Sequence, residues 1–171
     1  TPDQIYDINK SSMKDAIVRL GSGFCTGEVI SSQGLILTNH HCGYSAIQKL
    51  STTTANHLKN GFWAKTKDEE LSAGFSVSFL VKIVDITDDI LADVTDENRR
   101  KLVGEHSSSV RKELSDSGAY AVDIKEMFSG NKYFAYVYKT FGDVRLVGTP
   151  PESVGKYGGD TDNWMWPRHT G

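Results

Sequence analysis

The sequence predicts a mainly β fold with helical insertions, and three observations carry that expectation. Short apolar runs near the N-terminus are broken by glycine and serine. Val77, Phe79, Val81 and Ile83 alternate against Ser78, Leu80 and Lys82. Two further strand-like runs flank Ser129-Gly130-Asn131, which has the composition of a tight turn.

Taken in order, the first strands are expected over 16–20, 26–30 and 35–38. Gly21-Ser22-Gly23 and Ser31-Ser32-Gln33-Gly34 separate them with residues suited to turns between antiparallel neighbours. Strands this short and this closely spaced point to a barrel or sandwich rather than a βαβ sheet. Residues 45–59 are mixed and polar, and read as a short helix followed by a loop. A strand is expected over 77–86 and the main helix over 96–117. Thr95 is placed to cap that helix, Asp96 and Glu97 sit where the helix dipole favours acids, and Gly118 follows as a stop. Its apolar face (Leu102, Val103, Val110, Leu114) is weak, which puts it on the surface of the β structure or in an insertion, with His106 facing solvent. The hairpin is expected to pair 121–128 with 133–139, and a last strand to run over 143–147 up to Pro150-Pro151. Residues 155–171 are glycine-rich, aromatic and charged without periodicity. A loop so dense in special residues is a site or an elaborate turn. The chain stops in that loop and reads as part of a longer domain.

The 171 residues are enough for one domain with a real core, and 38% hydrophobic with 24% charged residues is an ordinary globular balance. A net charge of -3 leaves no electrostatic footprint for nucleic acid or an anionic membrane. No apolar run approaches the roughly 20 residues that span a bilayer. The opening Thr1-Pro2-Asp3 carries no signal-peptide pattern, which is also how a processed N-terminus looks.

The first candidate for chemistry is Leu37-Thr38-Asn39-His40-His41-Cys42, a strand running directly into histidine and cysteine. Imidazole is the side chain suited to take a proton from a serine nucleophile at neutral pH, and it must be held still to do so. The same residues also suit a plain loop beside a structural cysteine. Cys25, His40, His41 and Cys42 are zinc-ligand types as well. Three consecutive residues do not easily face one ion, however, and the usual two- to four-residue spacers are missing. Cys25 and Cys42 lie 17 positions apart, a spacing open to a disulfide, buried thiols or half a metal site. A bridge closing that loop would contribute on the order of 3 kcal/mol and would imply an oxidising compartment.

No nucleophile accompanies the histidine. Gly-x-Ser-x-Gly does not occur; the nearest run, Gly74-Phe75-Ser76-Val77-Ser78, ends in serine and enters an expected strand. No Gly-Asp-Ser-Gly turn is present to build an oxyanion hole. Asp160 and Asp162 stand out as carboxylates for a triad or a calcium loop, but the later ligands of a calcium loop are missing.

Gly23-Phe24-Cys25-Thr26-Gly27, followed by 34–44 (Gly-Leu-Ile-Leu-Thr-Asn-His-His-Cys-Gly-Tyr), resembles the first barrel of chymotrypsin-like serine peptidases. Asn39 to Tyr44, taken with the block 153–171, is similar more narrowly to the bacterial dipeptidyl-peptidase 7 and dipeptidyl-peptidase 11 family. The resemblance runs over essentially the whole chain. It implies a chymotrypsin-like β-barrel, the first of two, in a periplasmic, cell-surface or secreted serine exopeptidase that removes dipeptides from free N-termini. By the same match His41 is the general base, His40 its neighbour, and Cys25–Cys42 a disulfide. Asn163 and Trp164 hold the substrate's amino terminus. The resemblance further implies a triad aspartate directly after Gly171 and a serine far downstream. The second barrel and a large helical domain also lie outside 1–171, so this chain alone is expected to be inactive. Asp160 and Asp162 then become loop-structuring carboxylates, and His169 a support for the neighbouring aspartate. No metal or organic cofactor is called for, a homodimer stays open for the intact enzyme, and the preference at the second substrate residue is not fixed by these residues.

The proposed anchor makes chemical sense. An exopeptidase that counts two residues needs a fixed acceptor for an ammonium group. Asn163 offers an amide oxygen, and Trp164 a carbonyl and an aromatic wall, while Gly158 and Gly159 let the loop bend. Trp166, before Pro167, reads as packing. Two competitors remain: a trypsin-fold endopeptidase sharing His41, and a non-catalytic β-barrel binding module. The pair Asn163-Trp164 argues against both.

Overall fold

The computed structural model describes residues 1–154, together with the backbone of 156–157 and 160–161. In chain order the first elements are α1 (Pro2–Ile5), β1 (Ile17–Leu20), β2 (Cys25–Val29), β3 (Ile36–Leu37), α2 (His40–Leu50) and α3 (His57–Asn60). The short strands β4 (Phe62–Trp63) and β5 (Leu71–Ser72) precede the long β6 (Val77–Asp85). Then come α4 (Thr87–Leu91), α5 (Arg99–Leu114), β7 (Ala121–Met127) and β8 (Lys132–Phe141). Four two-residue strands follow: β9 (Arg145–Leu146), β10 (Gly148–Thr149), β11 (Lys156–Tyr157) and β12 (Asp160–Thr161). The mainly β class expected from the sequence holds. The chain divides into two compact units, Ile17–Val77 with Phe141–Gly171, and Thr1–Ala16 with Ser78–Thr140.

In the first unit β3, β2 and β1 lie side by side, antiparallel throughout. Period-2 alternation turns Val18 and Leu20 inward, at 1% and 2% exposure. Gly27 sits opposite Val18, and a Cβ there would approach the Ile36 side chain at 2.7 Å and the Leu37 carbonyl at 2.8 Å. Only glycine lets β3 close onto β2 at this point. Two short ladders complete the unit: β4 with β10, where Trp63 lies across Gly148, and β5 with β9. The expected strand over 143–147 thus shrinks to Arg145–Leu146, flanked by a bond from the Ala73 amide to the Val144 carbonyl.

In the second unit β6, β8 and β7 are neighbours in that order. The predicted hairpin forms with Ala121 opposite Tyr138 and Met127 opposite Lys132. Its turn places Phe128, Ser129 and Gly130 at positive φ, and Gly130 is the residue there that accepts it without strain. Tyr133, Ala135 and Val137 alternate inward along β8, and Ile86, Ile90, Tyr133 and Ala135 form the core. Asp85 closes the corner after β6. It accepts hydrogen bonds from the Thr87 amide and hydroxyl and from Lys132, and these hold its carboxyl down at about 2.

Two expectations are corrected here. The main helix begins at Arg99, not Asp96. The Asn98 carboxamide accepts from the Thr95 amide and donates to the Asp93 carbonyl, so residues 95–97 are bound into the preceding turn. The helix lays its weak apolar face on the β structure, with Val103, Val110 and Leu114 packed against the core cluster and no residue fully buried; what is corrected is His106, expected to face solvent. His106 is half-buried, with Nδ1 at 2.9 Å from the Ile90 carbonyl oxygen. A carbonyl only accepts, so Nδ1 carries the proton.

Asn9 shows what a side chain can add to a strand edge. Its Nδ2 donates to the Ile83 carbonyl (3.0 Å) and its Oδ1 accepts from the Ile83 amide (2.9 Å), imitating a neighbouring backbone. Asn9→Ala leaves both groups of a part-buried peptide without these partners. It is expected to lower unfolding free energy by about 1–3 kcal/mol in a urea titration. A loss below about 0.5 kcal/mol would mean that water replaces both bonds.

Candidate functional site

The site grows from the junction of β3 and α2. Asn39 is extended (φ -70°, ψ 146°) and its carbonyl accepts from the Cys42 amide, which starts the helix at His40. This corrects the expectation of a strand-end mount with a helix only from Ser45. His41 stands in the first turn of an 11-residue helix. The physical reason is packing: no proline interrupts 40–50, and Ile47, 2% exposed, gives the helix an inward face that carries it back to its start.

Helical geometry then separates the two histidines. Each step along a helix turns a side chain by about 100°, so neighbours diverge. His40 is buried, its ring edge-on to Tyr44 at 5.9 Å, whereas His41 is exposed. Cys42 is disulfide-bonded to Cys25 at the head of β2, with the Cα atoms 6.0 Å apart. The bridge ties the first turn of α2 to the neighbouring strand, directly beside His41.

The zinc alternative can be read from the same geometry. A ring nitrogen of His41 and the two sulfurs lie within 4.8 Å of one another. The sulfurs are bonded to each other, however, and zinc binds thiolates, so a metal would require the bridge to be reduced. His40 does not join that group.

A pocket of about 330 Å³ opens at His41. Its helical wall is formed by His41, Ser45 and Lys49, spaced i, i+4, i+8 on one face of α2. Phe24 and Phe75 also line the pocket, and their rings meet edge to face at 5.7 Å. Phe24 projects from the turn between β1 and β2, just before the bridged Cys25. Sequence reasoning had not singled out Ser45, Lys49, Phe24 or Phe75; the helical spacing from His41 was the available signal for the first two, once α2 was known to begin there.

The other candidates fall elsewhere. Asn163 and Trp164 lie outside the described residues, as does His169. Asp160 belongs to β12, paired with β11, and Asp162 lies outside the described residues. His57 is half-buried with its ring against Phe62 at 5.0 Å, a packing contact.

The site thus sets an exposed imidazole next to a disulfide at a pocket, and the comparisons supply the family. Residues 1–171 match the family model described as Peptidase S46, and the chain belongs to that family. It is 48% identical to dipeptidyl-peptidase 7 of Capnocytophaga gingivalis over 176 residues, covering 100% of this chain and 24% of that protein. It is also 46% identical to the Asp/Glu-specific dipeptidyl-peptidase of Porphyromonas gingivalis, covering 98% of this chain and 25% of the relative. Among solved structures it is similar to Porphyromonas endodontalis DPP11 in complex with the dipeptide Arg-Glu. The TM-score is 0.85 at 42% identity, covering 100% of this chain and 27% of that one. The chain therefore spans about a quarter of the length of these relatives.

Proposed function

We propose that residues 1–171 form the N-terminal part of the catalytic domain of a serine dipeptidyl-peptidase. In this reading they contribute most of a first chymotrypsin-like barrel, with α5 as a helical insertion. The observation that carries the proposal is His41, exposed and pinned by the Cys25–Cys42 bridge at a pocket, in a chain of the S46 family. In the full-length enzyme His41 takes the proton of a serine supplied from beyond residue 171, then delivers it to the leaving amine. An aspartate, also from beyond residue 171, holds the imidazole. Asn163 and Trp164 receive the substrate's ammonium group and place the bond after its second residue at the serine. Acyl transfer of this kind runs on side chains and backbone amides, so the reading calls for no metal or organic cofactor.

Support for the substrate class comes from the neighbours, since P. endodontalis DPP11 structures hold the dipeptides Arg-Glu and Arg-Asp. The preference at the second residue belongs to the rest of the protein in this proposal. Dipeptidyl-peptidase 7 and the Asp/Glu-specific dipeptidyl-peptidase of C. gingivalis are both 48% identical to this chain. A disulfide beside the base fits an oxidising location: periplasm, cell surface or medium. No helix among the described residues is long and apolar enough to cross a membrane.

The test uses the full-length parent and fluorogenic dipeptidyl substrates with free or acetylated N-termini. Cleavage of the free form alone is the expected result. Cleavage of both would indicate an endopeptidase and remove the anchor role from Asn163 and Trp164, and cleavage of neither would leave a β binding module.

A further inference from the structure

The pocket beside His41 lies apart in sequence from the proposed amino-terminal anchor. All of its walls among the described residues belong to 24–75, whereas the proposed anchor lies at 163–164. His41 marks one end of the pocket, and in the proposed mechanism this is where the leaving amine is protonated. From there the helical wall runs through Ser45 to Lys49, eight residues on. At about 1.5 Å per residue that is roughly 12 Å, the span of three or four extended peptide residues. Ala46, Ala73 and Gly74 are the small residues of the pocket's lining, and Phe24 and Phe75 supply its aromatic part. At the far end Lys49 is exposed in the last turn of α2, and its ammonium makes no hydrogen bond or ion pair among the described residues.

We infer that this pocket receives the leaving peptide, and that Lys49 draws in a carboxylate three or four residues beyond the scissile bond. The inference rests on the dipeptidyl-peptidase reading, which places the leaving amine at His41. The ligand class follows from the dimensions. A short oligopeptide puts its own C-terminal carboxylate at that distance, and a longer one can present an aspartate or glutamate side chain there. The apolar pair Phe24–Phe75 lies along the path of the first leaving residues and favours an apolar or aromatic side chain. Exposed ion pairs are weak, so the effect is a bias in substrate choice and no more.

The experiment uses the full-length enzyme with a pentapeptide and a hexapeptide, each made as free acid and as C-terminal amide, followed by mass spectrometry. The enzyme is expected to favour the acid by roughly threefold to fivefold in kcat/KM, a ratio that shrinks in high salt. Lys49→Met, which keeps the aliphatic stem, is expected to bring the ratio close to one, while Lys49→Arg preserves it. A ratio that survives Lys49→Met, or a parent enzyme indifferent to the C-terminal charge, overturns the inference. A dipeptidyl arylamide run alongside separates the two failures. If it is cleaved only with a free N-terminus, the dipeptidyl-peptidase reading stands and the leaving-side role of Lys49 alone has failed. If it is not cleaved, both have.

Discussion

His41→Ala in the full-length enzyme is expected to lower kcat/KM by on the order of 10⁴- to 10⁶-fold, the range found when the base of a serine triad is removed. Folding should be almost untouched. His41 is exposed, and surface substitutions away from special features usually stay within about 0.5 kcal/mol. Its buried neighbour provides the contrast. His40 packs on Tyr44, so His40→Ala should act on stability first and on turnover only through α2. Unfolding titrations and dipeptidyl-arylamide kinetics on the two variants distinguish these roles. Turnover within tenfold of the parent in His41→Ala would exclude it as the base. The isolated 171-residue chain, lacking both triad partners in this reading, should hydrolyse neither free nor acetylated substrates.

How much of this could be read from the sequence depends on how local each signal is. β1, β2, β6 and the β7–β8 hairpin emerge within a residue or two of expectation, because alternation and glycine turns act over neighbouring residues. The bridge was open on spacing alone and followed only from the resemblance, because pairing is decided by where the fold brings the sulfurs. The start of α2 was misplaced because 38–42 looks like a strand end in one dimension. What makes it helical is the inward face completed by Ile47, a tertiary effect. The same holds for α5: Thr95 is a good cap by composition, yet Asn98 wins by bonding to both Asp93 and Thr95. Lys49 was invisible for the same reason as the start of α2. A lysine eight residues after a histidine means nothing until both are known to share a helical face beside a pocket. His106 illustrates the reverse error, where a histidine on a charged helix looked solvated but had Ile90 within reach.

Removing the bridge is expected to give the largest stability change. Cys25→Ala together with Cys42→Ala opens a loop of 17 residues and should cost on the order of 3 kcal/mol, by freeing the unfolded chain more than by removing native contacts. Alanine is the right replacement at Cys42, which is 9% exposed, because serine would bury a hydroxyl and add its own penalty. A second effect should appear well below the melting temperature. The bridge holds the first turn of α2, where helix ends otherwise fray, and His41 occupies that turn. A base displaced by about 1 Å loses on the order of 10²-fold in rate, so kcat should fall even where the protein is fully folded. Denaturant titration of the double variant measures the first effect, and arylamide kinetics at low temperature the second. Treating the parent with reductant should reproduce both if the bridge is accessible. Stability lost with kcat intact would mean that Ile47 and the packing of His40 on Tyr44 hold the base unaided. The disulfide would then serve only to restrain the unfolded chain.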